Sequence, residues 1–254
     1  MEKDKLGDRM KSYEDKNRIY LNKNEPIIIR LEGRHFHSIT NKLQKPFSDP
    51  LINLMDNTAL NTISKISGAK ISYQQSDEIS ILINSYENEK SEIMFGGNIQ
   101  KLASVIASIA SVYFSINSES DFGKQINVEF DCRLFNLPKE EVNEYFCWRQ
   151  SDNRRNSVSM YARSLFSQKQ LHGKNTSDIL KDIRDLNAKD NSIICYEDIP
   201  LKYQRGRCCF SDKKTFNAIN KKNGNEVEVT RNVWNIDNKI PMFSKDKQYI
   251  NRYI

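Results

Sequence analysis

An α+β fold is predicted, an antiparallel sheet with helices on one face, and three observations predict it. Four runs rich in Ile, Val, Tyr and Phe read as strands, at 26–31, 71–75, 79–83 and 126–135. Two stretches between them, 51–66 and 99–116, repeat apolar residues at helical spacing. No internal repeat or Pro/Gly-rich linker intervenes, and the order β-α-β-β-α-β is that of a ferredoxin-like sheet.

Taken in order, an amphipathic opening over 5–20 leads to the strand run Pro26-Ile27-Ile28-Ile29-Arg30-Leu31. Leu51, Met55, Ala59, Ile63 and Ile66 line one helix face. The runs 71–75 and 79–83 are separated only by Ser76-Asp77-Glu78, a hairpin with carboxylates at its tip. Ile99, Leu102, Ile106, Ile109, Tyr113 and Ile116 form one apolar stripe, and Ala103, Ala107 and Ala110 permit close packing on a sheet. After the fourth strand, Pro138 suits a helix start that Val142, Tyr145 and Phe146 continue. Val158, Tyr161, Ala162 and Leu165 mark another helix, and Asn223-Gly224 between two runs suggests a second hairpin near the C-terminus.

With 38% hydrophobic and 28% charged residues, the 254-residue chain reads as globular and is long enough for a real core. No apolar run approaches the ~20 residues that span a bilayer, so no membrane partner is expected. The start, Met-Glu-Lys-Asp-Lys-Leu, has no signal-peptide core, and the expectation is a cytoplasmic protein. Cys132, Cys147, Cys195, Cys208 and Cys209 are odd in number and form no CxxC, so they fit neither a disulfide framework nor a zinc site. Residues 1–137 carry 17 basic and 18 acidic side chains; residues 138–254 carry 22 and 15. A neutral half joined to a basic half suggests chemistry in one and a polyanion footprint on the other.

The acids fall where chemistry could use them. Glu32 ends the first strand, directly before Gly33, while Asp77 and Glu78 occupy the tip between the second and third. If these strands are neighbours, carboxylates 45 residues apart converge at one sheet edge. Such oxygens, with a backbone carbonyl near Gly33, can hold two Mg²⁺. Spacing alone leaves open an ordinary polar turn. His35 and His37 follow the same strand end, with no third His or Cys nearby to complete a zinc site. Asp131 and Arg133 share a strand face and suit a structural ion pair, with Glu129 towards solvent.

The words around these acids carry more. Arg30-Leu31-Glu32-Gly33-Arg34-His35-Phe36-His37 and Tyr73-Gln74-Gln75-Ser76-Asp77-Glu78-Ile79-Ser80 resemble the first two motifs of the tRNA-His guanylyltransferase family. Ile99-Gln100-Lys101-Leu102, Phe130-Asp131-Cys132-Arg133 and Trp148-Arg149-Gln150-Ser151-Asp152 are similar to further family words, in the expected order. Arg154-Arg155-Asn156-Ser157 and Leu171-His172-Gly173-Lys174 resemble its bacterial and archaeal guanylyltransferase-like branch. The resemblance runs from about Met10 to Phe210.

It implies a polymerase-type palm over 1–137, with additional helices and the hairpin over 138–254 packed on it as one body. The implied enzyme is a nucleotidyltransferase that adds nucleotides to the 5′ end of tRNA in the 3′-to-5′ direction, using two Mg²⁺, with GTP and ATP as substrates and a homotetrameric assembly. Glu32, the Gly33 carbonyl and Asp77 would ligate metal, with Glu78 assisting. Arg30, Arg34, His35, Phe36, His37, Lys45, Ser76 and Lys101 would contact nucleotide. Arg149, Gln150, Arg154, Arg155, Asn156, His172 and Lys174 would touch triphosphate or tRNA. Glu32 stands where the family has aspartate. Arg154 stands where eukaryotic members have a histidine, which favours template-dependent repair of 5′-truncated tRNAs over strict selection of tRNA-His. The competing readings are a tRNA-binding protein with a decayed metal site and a palm-type nucleotidyl cyclase.

Overall fold

The computed structural model describes residues 5–41, 43–84, 92–219 and 224–254. Six strands form one antiparallel sheet in the order β4-β1-β3-β2-β5-β6. They are β1 (Ile27–Gly33), β2 (Ala69–Gln75), β3 (Glu78–Ile83), β4 (Phe130–Asn136), β5 (Arg207–Ile219) and β6 (Glu226–Asp237). The first four strands, in the order 4-1-3-2, are the expected ferredoxin-like sheet. The last two extend it beyond β2, where Ile71 pairs with Phe210 and Gln74 with Arg207. The hairpin of β5 and β6 is as expected; Asn223 of its Asn-Gly turn lies outside the described residues.

The helices are α1 (Lys5–Asp15), α2 (Phe36–Thr40), α3 (Asp49–Ile63), α4 (Ile99–Phe122), α5 (Val142–Leu165), α6 (Gln168–Leu171), α7 (Thr176–Lys189), α8 (Leu201–Arg205) and α9 (Gln248–Asn251). Helices cover both faces of the sheet rather than one. Ile27, Ile29 and Leu31 point into a core with α3 and α4. Ile28 points the other way, into a second core with Val142 and Phe146 of α5 and with Ile240, Phe243 and Ile250. An unbroken Ile-Ile-Ile-Arg-Leu run, instead of alternation, is what a strand buried on both sides requires.

Three further expectations are corrected. The α4 stripe drifts, because its buried apolar residues are Leu102, Ile106, Ala110 and Phe114, while Val112 and Ile116 face outwards at 56% and 65% exposure. With Ile109 and Tyr113 they line a shallow groove against α3. By length and composition Ile99–Ser120 would also span a membrane, but its inner edge is packed on the sheet. Second, β4 starts at Phe130, not at 126. The amides of Ile126, Val128 and Phe130 donate to the hydroxyls of Ser118, Ser115 and Ser111 on α4 (2.7, 3.0 and 2.9 Å), so α4 serine hydroxyls receive the amides that lead into the strand. Third, 142–165 is one helix and not two. Its polar middle is buried and hydrogen-bonded at Arg149, Gln150, Asn153 and Ser157, so no break is needed. Beyond that middle, Val158, Tyr161 and Ala162 pack on α7, Tyr196 and Ile199 and, among the described residues of that cluster, on no strand, so the C-terminal part of α5 runs past the sheet end.

Cys208 and Cys209 are both buried, one in each core, and no disulfide forms.

Candidate active site

Two strand ends and one turn build the site. Glu32 pairs with Glu78 across β1 and β3 and with Asp131 across β1 and β4, and the Gly33 amide donates to the Asp77 carbonyl at 3.0 Å. Glu32 and Asp77, 45 positions apart, therefore meet at one end of the sheet. The turn that carries Asp77 is tighter than expected: Glu78 is already the first residue of β3, and Ser76 takes a left-handed φ of 46°. His35, on the other side of the site, has a φ of 57°. Left-handed backbone in a non-glycine residue costs about 1–2 kcal/mol, and such strain clusters at functional sites.

Gly33 is required here by close approach. A Cβ on it would stand 2.1 Å from Cε2 of Phe36. The Phe36 ring lies in the core with Phe114 and Phe130, at 4% exposure, so it supports the strand end from below and is not offered to a nucleotide.

Burial pushes the Asp77 carboxyl above its ordinary value; hydrogen bonds from its own amide and from Ser76 oppose this, and the Glu32 charge adds to it. Two carboxylates that repel each other suit a shared cation. Arg133 reaches Glu32 and Asp131, each at 3.4 Å, so the pair expected on β4 extends to β1. Both oxygens of Glu78 are taken by Arg149, Nε to Oε1 and Nη2 to Oε2, each at 2.7 Å. Burial raises the Glu78 carboxyl, and the Arg149 fork opposes it. No group of three His, Cys, Asp or Glu side chains able to hold a metal occurs among the described residues. Glu32, Asp77 and a strand-end carbonyl still fit Mg²⁺, which binds through one or two carboxylates and completes its shell with water and phosphates.

The other expected residues divide. Arg30 lies on the α5 side of β1, its guanidinium 5.9 Å from the Trp148 ring centre. Arg34 is bound to Glu129 at 2.7 Å, His37 is exposed on α2, and Lys45 Nζ donates to the Thr40 carbonyl at 3.0 Å. Lys101 does not belong with them. It precedes Ser111 by ten residues, about 15 Å of helix, and Ser111 is the residue level with Phe130 and Gly33. Lys101 thus lies towards the opposite end of the sheet.

Arg149 and Gln150 are buried and structural. Gln150 donates to the carbonyls of Arg205 (3.2 Å) and Pro241 (3.0 Å) and accepts from the Phe243 amide (2.8 Å), which leaves nothing for a triphosphate. Arg154, Arg155, Asn156, His172 and Lys174 are exposed on and after the projecting half of α5. Arg155 is paired with Asp152 at 2.6 Å and Lys174 with Asp182, whereas Arg154 makes no ion pair among the described residues.

A cleft the sequence did not announce opens beside Ser76. It is lined by the start of α3, by Asn153, Asn156 and Met160 of α5, by Lys202 and Tyr203 of α8 and by Arg207. Phe47 stacks on Tyr203 at 4.3 Å, and Asp49 accepts from Lys202 and Tyr203. These residues come from segments about 150 positions apart, which short-range spacing cannot join.

The family model for tRNAHis guanylyltransferase matches residues 7–138. A bacterial tRNA-His guanylyltransferase-like protein solved in complex with ATP superposes with a TM-score of 0.84 at 36% identity, covering 98% of each chain. A second such structure, in complex with GTP, gives 0.79 at 34% identity over 98% of this chain and 99% of that one. A probable tRNA-His guanylyltransferase of Dictyostelium discoideum is 27% identical over 78% of this chain and 79% of its own. With motifs, sheet order and the carboxylate pair in agreement, the chain belongs to the tRNA-His guanylyltransferase family of nucleotidyltransferases.

Proposed function

We propose that this protein adds nucleotides to the 5′ end of a tRNA in the 3′-to-5′ direction, after activation of that end by ATP or on a 5′-triphosphate. The observation that carries the reading is the meeting of Glu32 with Asp77 beside a cleft at one sheet end. Glu32, Asp77 and the Gly33 carbonyl would hold magnesium. Paired Mg²⁺, when bound, stabilises the attacking and leaving oxygens of an in-line phosphoryl displacement. The Arg149 fork fixes Glu78, and through it the turn that presents Asp77. The two solved relatives, in complex with ATP and GTP, support nucleotide binding by this chain. The projecting half of α5, with Arg154 and its neighbours, carries the RNA footprint, so residues 1–137 supply the chemistry and 138–254 the grip.

The same reading has copies of the chain assembling as a tetramer, supported by the outward apolar face of α4 at Val112 and Ile116. Light scattering after gel filtration measures it, and Val112→Asp should yield smaller species.

The deciding experiment offers a 5′-truncated labelled tRNA with GTP or the templated nucleotide. Product with Mg²⁺ and none with EDTA is expected. Tight binding without product would instead identify a tRNA-holding protein, and a small cyclic product without RNA a nucleotidyl cyclase.

A further inference from the structure

Trp148 on α5 is 51% exposed, yet its ring is held in place from inside. The guanidinium of Arg149 lies over the ring, 4.3 Å from its centre, and is itself fixed by Glu78 and Asp152. Tyr145 meets the ring edge-on, with centres 5.9 Å apart. Two short links join the indole to the acids of the site. One runs through Arg149 to Glu78, the cross-strand partner of Glu32. The other runs through Arg30, two residues before Glu32 and on the same face of β1, whose guanidinium is 5.9 Å from the ring centre. A flat aromatic surface fixed in advance loses little freedom when a planar partner stacks on it.

The chemistry of that partner follows from the surroundings. Nucleotidyl addition brings two reactants to Glu32 and Asp77, and α5 has a flank for each. Asn153, Asn156 and Met160, which line the cleft beside Ser76, lie about 80–140° round the helix from Trp148. Trp148 faces the side of β1 and β4 instead, where Arg133 is the register partner of Arg30. Arg30 makes no ion pair among the described residues, so a positive charge stands beside the exposed ring. An aromatic plane for a base, next to a cation for its backbone, is how unpaired ends and single strands of RNA are held. The carboxylates act at the 5′ phosphate, so the base within reach is the one that phosphate carries.

We propose that Trp148 is the stacking platform for the base at the 5′ end of the RNA and holds the phosphate of that nucleotide towards Glu32 and Asp77. This rests on the nucleotidyl-addition reading above and adds a residue that positions the acceptor. Every base has a π face, so the platform holds the end without selecting its sequence.

The test is a cycle between ring and base, read from the anisotropy of a 3′-labelled, 5′-truncated tRNA on the full chain with Mg²⁺. The 5′-terminal nucleotide is either normal or abasic. Wild type should bind the abasic RNA about tenfold more weakly. Trp148→Ala should bind normal RNA about tenfold more weakly than wild type and should hold the two RNAs within about twofold of each other. Trp148→Phe, which keeps a ring, should stay within about threefold of wild type. In Trp234→Phe, where Trp148 is the remaining tryptophan, normal RNA should quench indole fluorescence and abasic RNA should quench it less. Equal binding of the two RNAs by wild type, which needs no variant, overturns the assignment. So does a Trp148→Ala protein that still prefers normal RNA tenfold, since the ring would then act only through the fold. Wild type that binds neither RNA would overturn the nucleotidyl-addition reading itself, and the assignment would fall with it.

Discussion

Glu78 and Arg149 are joined by two parallel hydrogen bonds of 2.7 Å, with both side chains buried. The contact ties the first residue of β3 to the middle of α5, and the Asp77 turn hangs from it. Arg149→Met would strand a carboxylate away from water, at a cost of about 3–5 kcal/mol. Urea unfolding should register that loss, and the double change with Glu78→Gln should recover most of it. A loss below about 1 kcal/mol would mean the fork is ornamental.

Asp77 makes the metal-free protein sensitive to pH. Its folded carboxyl lies above the ordinary 3.8, first through burial and then through the Glu32 charge. Between those values the folded state binds more protons than the unfolded, so stability is full below 3.8 and is lost as pH rises through the folded value. In EDTA at neutral pH, Asp77→Asn should therefore melt no lower than wild type while losing nucleotide addition. A variant that melts lower would show that Asp77 is held by favourable contacts instead.

Gly33→Ala drives a methyl into the Phe36 ring. Overpacking of this kind costs roughly 1–3 kcal/mol. Pairing it with Phe36→Leu should return part of the stability, and turnover should fall in the single variant because the strand end that carries Glu32 is displaced. Equal melting temperatures for wild type and Gly33→Ala would refute the contact.

Glu32→Asp should keep or raise turnover, since magnesium accepts either carboxylate and the shorter one is what the family motif carries. A fall of about tenfold in kcat/KM, some 1.4 kcal/mol, would show that the backbone has adjusted to the longer side chain.

If the proposed RNA footprint on α5 is electrostatic, raising salt from about 50 to 200 mM should weaken tRNA binding many-fold. Arg154→Ala should weaken it more than Arg155→Ala, because Arg155 is already neutralised by Asp152. A flat salt response, or the reverse ranking, would place the footprint elsewhere.

The strands were legible because Ile27 to Leu31 and Ile79 to Ile83 are short, Ile-rich runs bounded by proline or polar residues; that such runs are buried on both faces, and not on one, shows only in the packing. The meeting of Glu32 with Asp77 followed once neighbouring strands were assumed. Side-chain roles were less legible. Gln150 and Arg149 sit in motif words yet turn inwards, and nothing local to the words says which way a helix faces. Phe36 follows two polar residues but is drawn into the core by the space that Gly33 leaves. Lys101 lies in a family word of its own but not at the site's end of the sheet, because helix length separates them. Arg207 was invisible for a different reason: its partner, Asp56, is 151 residues away.

Gln150 takes its three partners from 55, 91 and 93 residues further along the chain. On a ribosome, α5 would emerge long before any of these partners could take over that amide from water. The helix that pins the Asp77 turn can settle only when Pro241 and Phe243 have left the exit tunnel. A transcript cut short before them would release a protein whose catalytic end never sets, however complete its motifs.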